Sequence, residues 1–463
     1  MTEPIQNEEY ISAITDTALP NNWSVTRNDR FTVFIPGDGV VGDTVRAHVV
    51  KRKKGFAYGE IIEIIEPSPF RTAPPCPHFG ICGGCIFQNL QYEKQLEIKK
   101  NYLMHSIKSI GGVDISHISM EPAVSSPDMY GYRNKMEFSF GENQGQLVLG
   151  MRERSSPFKR FSMQVFPIEQ CLIFSERTSV IVSIIMKFLT ERNYAAYNVF
   201  KRTGFLRNLL VREGKNTGEL MVALVTCAGD IPDIEQVYRS LKDTIPDLRS
   251  FYWIINEKPA NAVIIDDVKA LYGDEYIEEE LNGLRFRVYP ETFFQPNSRG
   301  AELLYSAIAE WANVTPDSNV LGLYCGAGAI ELSIARSVKS VLGIDSHPVN
   351  IETAHRNCEV NGITNCTFLA GRVEDVLKTV DTKDYQYIIL DPPRGGLTPK
   401  AVRYICRYKV PQILYVSCNP STLSRDLNLL YAEQYRIQRI KPFDLFPHTG
   451  HLETLVLLAK EEI

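Results

Sequence analysis

Residues 319–335 read "NVLGLYCGAGAIELSIA", and this stretch decides the fold of the last third of the chain. Its first residues suit a buried apolar strand, Cys325 to Gly328 make a turn, and the apolar spacing that follows suits a helix. Glycines let the backbone turn sharply there and approach a ligand closely. Alone, such a turn serves packing or a dinucleotide, and the full G-x-G-x-x-G is absent because Glu331 stands where the third glycine belongs.

Two neighbouring stretches narrow the choice. The next strand, "SVLGID", ends in Asp345, 21 residues after Tyr324, where an acid can accept hydrogen bonds from ribose hydroxyls. A further strand in "YQYIILDPPRGGL" ends in Asp391, Pro392 and Pro393, a rigid polar lip at the carboxyl edge of a parallel sheet. The three together resemble a class I S-adenosylmethionine-dependent methyltransferase. From about Glu291 onward, strands alternate with helices, the pattern of an α/β Rossmann-like domain over 291–463.

Upstream the character differs. Residues 21–66 read as short strands separated by Gly and Asp turns, an OB-like β-barrel within a domain 1–66. The basic run Lys51 to Lys54 beside Phe56 and Tyr58 suits a nucleic-acid strand, and equally a solvated hairpin. Residues 67–290 form a second domain, with a helix over about 88–110 and an antiparallel α+β pattern in "KMEFSF", "NLLVREG" and "ELMVALVT".

With 463 residues, 44% of them hydrophobic, the chain exceeds one ordinary domain, and its net charge of -5 requires any nucleic-acid footprint to be local. No apolar run reaches the length of a membrane span and "MTEPIQNEEY" lacks the features of a signal peptide, so a cytoplasmic protein without membrane contact is expected. Ten cysteines there point to metal, catalysis or burial rather than disulfides. Cys76, Cys82 and Cys85 give C-x5-C-x2-C, with Cys171 as a possible fourth ligand, a set that fits zinc or an iron-sulfur cluster. Cys227, Cys325, Cys358, Cys366 and Cys406 are read as structural.

Cys418, in "YVSCNPSTLSRDL", follows a strand at the same sheet edge as Asp391. A buried structural thiol is the commoner fate of cysteine. The helix N-terminus that "NPSTL" begins is expected to lower its pKa and favour thiolate. A thiolate is what methylation at carbon 5 of uracil requires, because attack at carbon 6 makes carbon 5 nucleophilic, and a base must then remove the carbon 5 proton. Glu453 and His451, in "FPHTGHLETLVLLAK", stand before a final apolar strand, where Glu453 by itself reads as a surface residue.

In order, "FFQPN", "YCGAGA", "DPPRGGL", "SCNPSTLSRDL" and "HTGHLETLVLL" resemble the RNA uracil-5-methyltransferase family, most closely its iron-sulfur branch acting on 23S ribosomal RNA. The likeness covers nearly the whole chain, residues 21–66 resembling that family's RNA-binding TRAM domain. It implies Cys418 as nucleophile, Glu453 as base, Gln295, Tyr324, Asp345 and Asp391 at the cofactor, Asp391 also facing the uracil, and a 4Fe-4S cluster on Cys76, Cys82, Cys85 and Cys171. Two positions depart from the pattern. Asp345 replaces a frequent Glu, and Ala329 stands where some members have Asn.

The expected partner is therefore RNA, 23S rRNA ahead of tRNA, bound by a monomer that flips the target uridine out of its fold. Basic residues for that surface are Arg133 and Lys135, Arg152, Arg154, Lys159 and Arg160, and Arg207 and Arg212. RNA cytosine-5 methylation and a non-catalytic RNA-binding role are the competing readings. The Glu base in "HTGHLE" argues against the first, and possession of both Cys418 and Glu453 against the second.

Overall fold

The computed structural model describes residues 9–27, 31–115, 117, 118, 120–155, 158, 164–259, 263–381 and 384–461. Lys159 and Arg160 lie outside the described residues. The chain forms two compact units: Met1–His105 with Met151–Gln164 and Phe446–Leu452, and Ser106–Gly150 with Val165–Leu445 and Glu453–Ile463. Among the described residues no helix is long and apolar enough to cross a membrane.

In the first unit six strands make one sheet, in the spatial order Glu9–Ala13, Thr44–Lys53, Phe56–Glu66, Thr32–Pro36, Trp23–Arg27, Asp16–Ala18. It curls until the Ser12 hydroxyl donates to the Arg27 carbonyl at 3.0 Å. Side chains alternate between faces, as the two-residue period of a strand demands. Val33, Ile35, Val45, Ala47, Val49 and Ala57 pack inside. On the other face Trp23, Phe34, Phe56 and Tyr58 stay half-buried, linked edge-to-face at 5.4 to 5.6 Å between centroids, while Lys51 to Lys54 are exposed. The chain then leaves through a helix at Tyr92–Ser109.

The second unit holds a seven-stranded sheet built from Lys135–Asn143, Gln146–Arg152, Val165–Pro167, Leu206–Glu213, Leu220–Thr226, Leu248–Ile255 and Asp267–Gly273. It is not wholly antiparallel as expected. Leu220–Thr226 and Leu248–Ile255 run parallel, because helix Glu235–Thr244 carries the chain back between them.

The cofactor-type sheet follows helix Ser298–Ala312. Its strands are β1 (Asn319–Leu323), β2 (Ser340–Asp345), β3 (Cys366–Ala370), β4 (Tyr387–Leu390), β5 (Gln412–Ser417), β6 (Tyr435–Phe443) and β7 (Glu453–Lys460), in spatial order β3-β2-β1-β4-β5-β7-β6. The first five are parallel, and β7 inserts antiparallel between β5 and β6. This is a doubly wound α/β sheet, with the order reversing between β1 and β4, where such sheets open a ligand crevice.

The arginines expected to meet RNA behave otherwise. Arg207, 5% exposed, donates to the Asn256 carbonyl at 2.8 Å and lies over the Tyr197 ring. Arg154 pairs with Asp38 at 2.8 Å and donates to the Cys85 carbonyl at 2.8 Å. Arg212, 2% exposed, donates to the carbonyls of Pro290 at 3.0 Å and Thr292 at 2.5 Å. Burial pushes its pKa down to about 10, so it stays charged at neutral pH and holds the start of "ETFFQPN". For Arg207 and Arg212 the cause is simple: cations on a strand buried inside the sheet are spent on backbone carbonyls. Arg212→Met should cost about 2–4 kcal/mol in urea unfolding, since it strands buried carbonyls. A loss below about 1 kcal/mol would show that the guanidinium does not carry this loop.

Candidate active site

Strands β5 and β7 pair antiparallel from Gln412↔Ala459 to Ser417↔Thr454. Cys418 and Glu453 are the residues next to that last pair, close enough for the Glu453 charge to act on the thiol. At this point β5 gives way to helix Pro420–Ala432, whose first turn is capped by the Asn419 side chain accepting from Ser421 N–H at 3.1 Å. Thus Cys418 stands at the strand-to-helix junction, and Glu453 opens the last strand.

Glu453 is buried, 1% exposed, and its Oε1 has no hydrogen-bond partner among the described residues. That reverses its sequence reading as a surface residue. Burial, and then the nearby Asp391 carboxylate, push its pKa well above the usual carboxylate range against the pull of Arg394. The Cys418 thiol is pushed up to about 12, first by burial and then by Glu453 and Asp391, with Arg394 opposing. The expected thiolate at the helix N-terminus is therefore not the resting state. Two carboxyl groups and a dry setting outweigh the helix end.

Asp391 ends β4, its N–H donating to the Leu323 carbonyl of β1 at 3.2 Å. Gln295 Nε2 donates to Asp391 Oδ2 at 3.3 Å. Burial raises Asp391 to about 7, and the Gln295 bond lowers it. The Gln295 segment is itself held from below. Asn134 Nδ2 donates to the Gln295 carbonyl at 2.7 Å and to Ser298 Oγ at 2.9 Å, and Ser298 in turn donates to the buried Glu279 at 2.5 Å.

The glycine turn and Asp345 meet beside it. Tyr324 has φ +64° and donates its N–H to the Ile344 carbonyl at 2.8 Å. Gly326, at φ +53°, donates its N–H to Asp345 Oδ2 at 3.1 Å. Asp345 Oδ1 accepts from His347 N–H at 2.8 Å and from Asn350 Nδ2 at 3.2 Å. Oδ1 thus already accepts two hydrogen bonds, while Oδ2 accepts one and keeps acceptor capacity for a further donor. A Cβ on Gly326 would lie 3.3 Å from the Phe293 ring, which is 55% exposed.

The structure thus gathers Gln295, Tyr324, Asp345, Asp391, Cys418 and Glu453 along one carboxyl edge of the sheet. Sequence reading missed Arg394, whose charge reaches both Cys418 and Glu453. Its signal was present in "DPPR". Asn134, Ser298 and Asn350 were also missed, since nothing in a sequence shows which distant amide will support a loop.

The cysteine quartet is a different matter. Cys76, Cys82 and Cys85 lie in the first unit and Cys171 in the second. Among the described residues no three His, Cys, Asp or Glu side chains form a group that could hold a metal ion. In the loop itself Gly84 N–H donates to Cys82 Sγ at 3.3 Å, and burial above all, with Cys76 adding to it, raises the Cys82 pKa.

Residues 91–461 match the family model described as tRNA (Uracil-5-)-methyltransferase. The chain is 36% identical over 462 residues to an uncharacterized RNA methyltransferase of Clostridium tetani, covering 99% of each. It is 37% identical over 428 residues to another of Caldanaerobacter subterraneus, covering 91% of this chain and 92% of the relative. The crystal structure of Pyrococcus abyssi tRNA (uracil-54, C5)-methyltransferase with S-adenosyl-L-homocysteine superposes with a TM-score of 0.74 at 28% identity, over 97% of this chain and 100% of that one.

With its pKa raised, Cys418 should react slowly with iodoacetamide near neutrality, the rate climbing about tenfold per pH unit below about 12. Glu453→Gln removes a negative charge beside the thiol and should speed alkylation by about tenfold at pH 9, read by mass spectrometry of the Cys418 peptide. An unchanged rate would mean that this carboxylate does not govern the thiol.

Proposed function

Because the chain belongs to the tRNA (uracil-5-)-methyltransferase family and is an S-adenosylmethionine-dependent RNA methyltransferase, we propose that it methylates carbon 5 of a uridine in 23S rRNA through a covalent Cys418 adduct. The observation that carries this reading is the gathering of Cys418, buried Glu453 and Asp391 at the end of the β5–β7 pairing, near enough for both carboxyl groups to act on the thiol. A uracil ring lying between them would offer carbon 6 to sulfur and carbon 5 to the carboxylate side.

When bound, S-adenosylmethionine supplies the methyl group and a sulfonium charge that favours ionised carboxylates around it. Gln295, Tyr324, Asp345 and Asp391 are the residues proposed to hold it. Cys418 adds to carbon 6 while its proton passes to Asp391, whose pKa near neutrality suits an acceptor. The displaced electron pair moves onto the ring, making carbon 5 the nucleophile that takes the methyl. Glu453 then removes the carbon 5 proton, and the carbon 6–sulfur bond breaks to restore the ring and free the thiolate. Arg394 stabilises the negative charge that passes between these groups. The curled N-terminal sheet, with its half-buried aromatic row and exposed Lys51 to Lys54, is proposed as the TRAM-like RNA-binding part.

A second reading, tRNA as substrate, is favoured by the structural neighbour that acts on tRNA uracil-54. Mapping 5-methyluridine in rRNA and tRNA from cells lacking the gene separates the two. Loss from 23S rRNA supports the proposal, loss from tRNA alone selects the second reading, and loss from neither overturns both.

Glu453→Gln should accumulate an RNA-protein adduct that migrates slowly in denaturing gels, because elimination stalls, whereas Cys418→Ala should lower methyl transfer at least about a thousandfold and trap nothing. An active Cys418→Ala enzyme would sink the covalent route. The 4Fe-4S cluster on Cys76, Cys82, Cys85 and Cys171 rests on cysteine spacing and family likeness, and we propose it as a structural element only. Anaerobically purified protein should then carry iron and sulfide; zinc alone, or no metal, would end that proposal.

A further inference from the structure

The sheet strand Leu206–Glu213 has two ends with different fates. At one, Arg212 holds the carbonyls of Pro290 and Thr292 that lead into the cofactor segment. Beyond the other lies the loop "NVFKRTG", residues 198–204. Phe200 at its tip is 73% exposed, and Lys201 and Arg202 beside it are exposed. Neither cation makes an ion pair among the described residues.

This loop is built rather than slack. Asn198 Oδ1 accepts from the N–H groups of Phe200 and Lys201, both at 3.0 Å. Asn198 N–H donates to the Thr203 carbonyl at 2.7 Å, and Arg202 N–H donates to the Asn198 carbonyl at 2.7 Å. Gly204, at φ +105°, closes the base, where any Cβ would meet the Ala196 carbonyl oxygen at 2.1 Å. A turn with so many internal bonds loses little freedom when it binds, which is how a loop gains from pre-organisation.

Single exposed apolar side chains are common on protein surfaces. What distinguishes Phe200 is its place on a hydrogen-bonded tip with two cations free of acidic partners. An aromatic face flanked by positive charge fits unpaired nucleotides, where the ring stacks on a base and the charges meet phosphates. It does not fit an apolar protein groove, which would leave both cations desolvated.

We propose, resting on the RNA-methylation reading above, that Phe200, Lys201 and Arg202 form a second RNA contact that reads substrate away from the target uridine. The strand between the two ends rises roughly 20 Å over its six steps from Leu206 to Arg212. A flipped base and its immediate neighbours do not reach so far. At about 3.4 Å per stacked nucleotide, an RNA running the length of that strand spans roughly six nucleotides.

The test compares two substrates: rRNA purified from cells lacking the gene, and a synthetic RNA of about 10 nucleotides centred on the mapped uridine, with tRNA replacing rRNA if mapping selects it. The triple change Phe200→Ala, Lys201→Ala and Arg202→Ala should raise KM on the long RNA about tenfold, leave kcat unchanged and leave KM on the short RNA unchanged. Phe200→Trp should keep the wild-type KM, while Phe200→Leu should not, because stacking needs a ring. Unchanged KM on the long RNA, or an equal loss on both substrates, overturns the proposal. If the wild-type enzyme methylates neither RNA, the function reading fails separately. Filter retention of the same long RNA by wild-type and triple variant then decides the contact, with equal affinity counting against it.

Discussion

The antiparallel pairing of β5 with β7 is the constraint on which the candidate site depends. Were β7 to slip by one residue, every side chain of that strand would change face, and Glu453 would turn away from Cys418 and Asp391. The apolar pattern of "ETLVLLAK" resists such a slip, because Thr454, Leu455, Val456 and Leu458 are all buried in the present register. Insertion of β7 between β5 and β6 also removes its edge, leaving no solvent to relieve the Glu453 carboxyl.

That burial produces the electrostatic character of the site. One thiol and two carboxyl groups share a dry space with a nearby arginine: burial raises all three, Asp391 adds to Glu453, and both carboxyl groups add to Cys418. Burial thereby favours the protonated forms of all three groups. Positive charge entering the crevice shifts all three in the same direction, which couples reactivity to occupancy without a moving part. The scaffold beneath is equally specific: Arg212 and Asn134 from the central sheet and its approach, Ser298 at a helix start and Glu279 on a separate two-stranded hairpin all support the Gln295 segment.

Several features could be read early because they arise from short-range chemistry. The strand, glycine turn and helix of residues 319–335, the acid ending β2 and the rigid "DPP" lip follow from local backbone requirements. So does the alternation that sends Val33 and Ile35 inward while Phe34 faces the other way. Where expectation failed, a distant partner was the reason. Arg207 and Arg212 look like surface cations in sequence, yet they are consumed by carbonyls 49 and 78 to 80 residues away. The parallel pair within the central sheet depended on how helix Glu235–Thr244 packs, and the Cys418 thiol on carboxylates contributed by other strands.

By itself, the sequence determined the kind of sheet, the place of the glycine turn, and the order of motifs that marks the family, since these are set by steric rules acting over a few residues. Only the tertiary structure decided the electrostatic state of the site. Protonation depends on burial and on charges brought from β4, β7 and the "DPPR" turn, and no local pattern records which side chains will share one low-dielectric space.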